Sequence, residues 1–229
     1  LYNSKGGIVT VLFEYPKQTT FGRIVAKNKI YEHGSISSRI KDLFVRQIEQ
    51  ITWQFKLAPE TINLASPISV PEIQVFNITL KDGELKNEVL RCIDLAIPFP
   101  LIYEVIFDGK IKCMASYKRP SEVDSTKWVV SDYFETLWLA KDSPRITLPI
   151  ALDLGSLYEK ILAPLMPYPN RSGESIQHQV ERIEQIKIKQ REIEKCETNL
   201  QNEKQFNRQV EINAVLRNLI NELKSLESK

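Results

Sequence analysis

From Glu174 to Lys229 the chain contains no proline, glycine, tryptophan or tyrosine. A stretch of that length without either helix breaker can run as continuous helix, and its apolar residues fall where a helix needs them. Ile176, Val180 and Ile183 keep a four-then-three spacing, and Ile186, Ile193, Cys196 and Leu200 resume it after a shift of phase. A polar break, "QNEKQFNRQ", follows, and Ile212, Leu216, Leu219, Leu223 and Leu226 take up the spacing again. The pattern predicts two helices of roughly four to eight turns joined by a short loop, an antiparallel, coiled-coil-like hairpin over 174–229. Glutamate and lysine fill the outer positions, as on a solvated face.

Up to about Pro167 the sequence has a different character. "LIYEVIFDGKIKCMASYK" holds Asp108-Gly109 between two strand patterns, a two-residue turn of type I′ chemistry. The register this implies sets Glu104 opposite Cys113, with Ile102 facing Ala115 and Ile106 facing Ile111. "SSRIKDLFVRQIEQI" reads as a helix capped by Ser37 or Ser38, passing directly into a strand that alternates Ile51, Trp53, Phe55 and Leu57. "EIQVFNITL" is a further strand and "DGELKNEVLRCIDLAI" a helix with Leu85, Val89, Ile93 and Ala96 along one stripe. "KWVVSDYFETLWL" is β-rich, and "DLGSLYEKILAPLM" is a short amphipathic helix. The expected fold is α+β: a mainly antiparallel sheet with packed helices over 11–167, followed by the helical hairpin. Residues 1–10 carry no periodicity and are expected to be a disordered or non-native leader.

Charge narrows the class of partner. The net charge is +2, from 31 basic and 29 acidic residues, so the chain is no polycation. Residues 1–70 hold nine basic and five acidic groups, which makes the N-terminal third the most basic part. Nucleic acid would have to be met by a local patch there. No apolar run approaches the ~18 residues of a membrane span, so no membrane role is expected and a cytoplasmic location is. Cys92, Cys113 and Cys196 are widely spaced within apolar patterns, which suits reduced, buried thiols better than a disulfide or zinc site. His33 and His178 are too far apart, and too poor in neighbouring ligands, for a metal site; a capping or solvent-facing role suits them better.

In "AKNKIYEHG" the basic residues Lys27 and Lys29 alternate through Tyr31, a basic–aromatic strand face able to meet phosphate and a stacked base. Lys118 and Arg119 in "SYKRPSE" sit at a strand end before a proline, where adjacent cations suit phosphate or carboxylate. These five residues form the expected nucleic-acid or partner contact.

The candidate catalytic residues are Glu60, Glu72, Gln74 and Glu104. Glu104 places a carboxylate within an apolar strand face, which requires a partner, protonation or a cleft. Pro59-Glu60 followed by Glu72-x-Gln74 is similar to the proline–acid then acid-x-lysine pattern of restriction-type, PD-(D/E)XK-like nucleases. In those enzymes paired carboxylates hold Mg²⁺ and a lysine positions the attacking water; here Gln74 stands where lysine is usual. Outside that alternative no cofactor is expected, since phosphate-loop, serine-elbow and HExxH patterns do not occur.

Taken in order, "FGRIVAKNKIYEH", "ITWQFKLAPETINL", "PEIQVFNITL", "AIPFPLIYEVIF", "ASYKRP", "KWVVSDYFETLWL" and "EKQFNRQVEINAVLRNLINEL" resemble an uncharacterised bacterial family. It is a domain of unknown function, and the likeness runs from about Val11 to the end. Its members are often encoded beside a helicase-type ATPase and a DNA methyltransferase, as in restriction or phage-defence islands. The resemblance implies a setting: a non-enzymatic accessory subunit of a DNA-processing assembly, docking a helicase or methyltransferase subunit, or another copy of itself, through 174–229. It transfers no catalytic residue.

Overall fold

Short strands and helices alternate from the start of the computed structural model, which describes residues 11–32, 36–124 and 127–228. In chain order they are β1 (Phe13–Glu14), β2 (Thr20–Ile24), α1 (Lys27–Glu32), α2 (Ser38–Gln47), β3 (Ile48–Leu57), α3 (Pro59–Ile62), β4 (Ile73–Leu80), α4 (Asn87–Ala96) and β5 (Leu101–Phe107). There follow β6 (Lys110–Pro120), β7 (Trp128–Glu135), β8 (Leu139–Ala140), β9 (Ile146–Thr147), α5 (Leu154–Leu162), α6 (Ile176–Asn202) and α7 (Phe206–Glu227). The leader expected at 1–10, and His33, lie outside the described residues. The chain divides into two compact units, one up to Pro167 and one from Tyr168 onward.

The first unit is built on one sheet in the order β2-β3-β4-β5-β6-β7, with β8 also paired to β6. Its pairings are antiparallel except β4–β5, which run parallel because α4 carries the chain back between them. β1 and β9 form a separate parallel pair. The fold is therefore α+β with a mostly antiparallel sheet, as the sequence implies. Asp108 and Gly109 both have positive φ, 45° and 68°, the backbone of a type I′ turn. That turn fixes the register of β5 on β6: Glu104 faces Cys113, Ile102 faces Ala115 and Ile106 faces Ile111.

Strand alternation gives the sheet two buried faces. One carries Ile51, Phe76, Ile78, Tyr103, Val105 and Met114 into a core with Phe44 of α2 and Val89, Leu90 and Ile93 of α4. On the other, Tyr15 stacks on Phe55 at 4.8 Å and Tyr158 of α5 stacks on Tyr117 at 6.3 Å. Because both faces are covered, β5 reads as a nearly unbroken run of buried residues, with Glu104 the polar exception.

Gly83 turns the chain from β4 toward α4 at φ +78°, and a Cβ there would lie 2.7 Å from the Phe107 ring. Gly83→Ala therefore meets both a left-handed backbone and an aromatic wall. It is expected to cost roughly 1–3 kcal/mol, measured by urea unfolding.

In the second unit α6 and α7 are joined through Glu203–Gln205 as a helical pair. α6 is capped at its N-terminus by Ser175, whose Oγ accepts from the His178 amide. The pair is tied at its base by two arginines that precede or begin α6. Arg171 donates to the carbonyls of Ser225 (2.9 Å), Leu226 (2.8 Å) and Ser228 (3.0 Å), satisfying orphan acceptors at the C-terminus of α7. Arg182 forks onto Glu174 at 2.7 and 2.8 Å and donates to the Pro169 carbonyl at 2.9 Å. Tyr168 donates to Glu227 (2.9 Å) and Lys189 pairs with Glu222 (2.8 Å), also on the base side. Ile176, Val180, Ile183 and Ile186 of α6 are buried, whereas no residue of α7 is.

Candidate functional site

The residues expected to form a contact patch do not share one strand face. Lys27, Lys29 and Tyr31 lie on α1, a helix, where alternate residues point away from one another. The alternation that suggested a strand is overridden by packing: Ile30 is buried in the core and Tyr31 sets its ring edge-on to Phe44 at 5.4 Å. Lys27 Nζ donates to the carbonyls of Phe44 (3.1 Å) and Ile48 (2.6 Å), so it caps the C-terminus of α2. Desolvation there, and then the nearby Lys81, pull its pKa below the usual lysine value. Lys29 is exposed and pairs with Glu32. Lys27→Glu is thus expected to cost about 1–2 kcal/mol of stability, by bringing a carboxylate to those carbonyls, while Lys29→Glu stays within ~0.5 kcal/mol; paired thermal melts check both.

Lys118, expected at the surface, is only 1% exposed. Its strand, β6, carries Met114, Ser116 and Lys118 onto the face covered by α4, so the lysine is carried inward by the same alternation that buries Met114. There its ammonium donates to the carbonyls of Asp94 and Ile97, lies 3.6 Å from the Asp94 carboxylate and sits over the Trp128 ring at 5.6 Å. Asp94 in turn accepts from the hydroxyls of Tyr103 (3.0 Å) and Tyr133. Burial pushes the Asp94 pKa up and pulls Lys118 down to about 8, each partly opposed by the other's charge. Burial likewise raises the Tyr103 and Tyr133 hydroxyls. The cluster anchors the last turn of α4 to β5, β6 and β7. Its side chains are internal, which removes Lys118 from any direct contact with nucleic acid; Arg119 stays half-buried beside Glu122 at 3.2 Å.

Glu104 is also accounted for inside the fold. Arg145, just before β9, forks onto its two oxygens at 2.6 and 3.1 Å and donates to the Phe13 carbonyl at 2.8 Å. One arginine thereby compensates the buried carboxylate and ties β1 to the sheet. Cys113 opposite is fully buried and its thiol is pushed up, by burial first and then by Glu104, which leaves it unreactive.

The other three candidate acids and amides do converge. In register, Lys56 of β3 pairs with Gln74 of β4. Lys56 Nζ lies 2.6 Å from Glu60 on α3 and 3.5 Å from Glu72, and Gln74 donates to Glu72. Glu60 is held below the usual carboxylate range chiefly by its bond to Lys56, whose own pKa is raised by it. Glu104 stands apart from this group, bound to Arg145. Among the described residues no group of three or more His, Cys, Asp or Glu side chains could hold a metal ion.

In the second unit a groove of about 550 Å³ runs between the distal halves of α6 and α7. Cys196, Ile212, Val215 and Leu219 line it together with the polar residues Glu192, Lys195, Asn199 and Glu211. Phe206 is 76% exposed and Val210 and Val215 are each 53% exposed. Among the described residues no helix is long and apolar enough to cross a membrane, so this apolar surface is not a span.

The missed residues had faint signals. Asp94 falls four positions after Leu90 on the buried stripe of α4. Arg145, Arg171, Glu174 and Arg182 act through partners that only the fold brings near.

A family model described as Domain of unknown function (DUF4391) matches residues 13–223. No curated protein and no solved structure matches the chain.

Proposed function

The chain belongs to the DUF4391 family, and we propose that it serves there as a non-enzymatic interaction subunit of a DNA-processing assembly of the restriction or phage-defence kind. The hairpin of α6 and α7 is its docking arm, and the role is cytoplasmic. The reading is carried by one observation: α7 runs for 22 residues, its apolar stripe is only half-buried, and Phe206, Val210 and Val215 stay more than half exposed. Helices of an ordinary fold gain their stability by burying such a stripe. The chemistry-bearing groups of the first unit point the same way, because Lys118, Asp94, Glu104 and Arg145 are spent on one another. Of the expected contact residues, Lys29 remains exposed for a secondary role at a partner or nucleic acid.

The experiment is co-expression with a helicase-type ATPase and a DNA methyltransferase encoded beside a family member. The full chain is expected to co-purify with one of them. Serine at Phe206, Val210 and Val215, three exposed positions that the fold does not need, is expected to abolish capture. Capture by the substituted chain would refute the role given to the hairpin.

A second reading rests on the group at Lys56. A lysine on β3 directly opposite Gln74 supplies the ammonium that the acid-x-lysine pattern lacks, and Glu60 and Glu72 both reach it. This favours a Mg²⁺-dependent nuclease in which Glu60 and Glu72 would hold the ion and Lys56 would position water. Mg²⁺-dependent DNA cleavage lost in Glu72→Ala would establish it; no cleavage by the wild-type chain under conditions that preserve its fold would dismiss it.

A further inference from the structure

We draw no further inference here: the strongest candidate, the outer edge of the sheet at β2, where Arg23 and Ile24 stand exposed on a strand paired on one side only among the described residues, carries nothing because nothing in the structure shows what covers it.

Discussion

Lys118→Met is expected to destabilise the N-terminal unit by on the order of 3–5 kcal/mol, read as a lower urea midpoint at unchanged slope. Methionine keeps most of the volume, so the loss reports charge and hydrogen bonding rather than a cavity. What remains is Asp94, wholly buried, with two tyrosine hydroxyls on one oxygen and no cation near the other. Asp94→Asn in the same chain is expected to recover a large part of the loss, because an amide keeps the tyrosine contacts without the uncompensated charge. If the single and double variants lost the same amount, the ion pair would not be the source.

The same pair sets a direction with pH. Folded Lys118 titrates near about 8, below the ~10.4 of an unfolded lysine. Between those values the unfolded chain holds a proton that the folded chain has released, so this group's contribution to stability rises with pH across the window and is flat below it. Tyr103, Tyr133 and Cys113, all raised by burial, act in the opposite sense at alkaline pH, but they are common to wild type and Lys118→Met. The stability gap between the two chains is therefore expected to widen from pH 8 to pH 10. A gap that narrows would contradict the direction assigned to Lys118.

Arg182→Ala is the second large effect, expected to cost the helical pair on the order of 3 kcal/mol. It removes a forked bond to Glu174 between side chains only 6% and 10% exposed, together with the donor to Pro169. Hydrogen exchange in the last turn of α7 is the local readout, since Arg182 and Arg171 both reach carbonyls there. Arg182→Lys is expected to rescue little, because an ammonium cannot reproduce the fork. Glu174 is held down to about 2, chiefly by Arg182. Its contribution is full above the usual glutamate range and is lost as pH falls toward 2. Acid sensitivity of the pair is thus expected to be smaller in Arg182→Ala than in wild type.

Where local chemistry decides, the sequence was legible. Asp108-Gly109 dictated its turn, and the turn dictated that Glu104 faces Cys113. The proline- and glycine-free tail became two long helices. Legibility failed where one pattern admits two periods or where the partner is distant. Lys27, Lys29 and Tyr31 alternate like a strand, yet burying Ile30 and Tyr31 against Phe44 settles a helix. Lys118 beside Arg119 reads as an exposed basic pair until β6 is known to be covered on both faces. The parallel pairing of β4 and β5 follows from α4 crossing back, which spacing alone does not reveal. Lys56 meets Glu72 only through a ladder with a register shift between Trp53 and Phe55.

The central claim is that the chain assembles through α6 and α7 rather than by chemistry of its own. Co-purification with the proposed partners, a helicase-type ATPase or a DNA methyltransferase, compared between wild type and the chain with serine at Phe206, Val210 and Val215, tests it most directly. The account predicts a stoichiometric complex for the first and none for the second, with both folded alike. Equal capture by the two chains, or capture by neither alongside Mg²⁺-dependent DNA cleavage that requires Glu72, would contradict it.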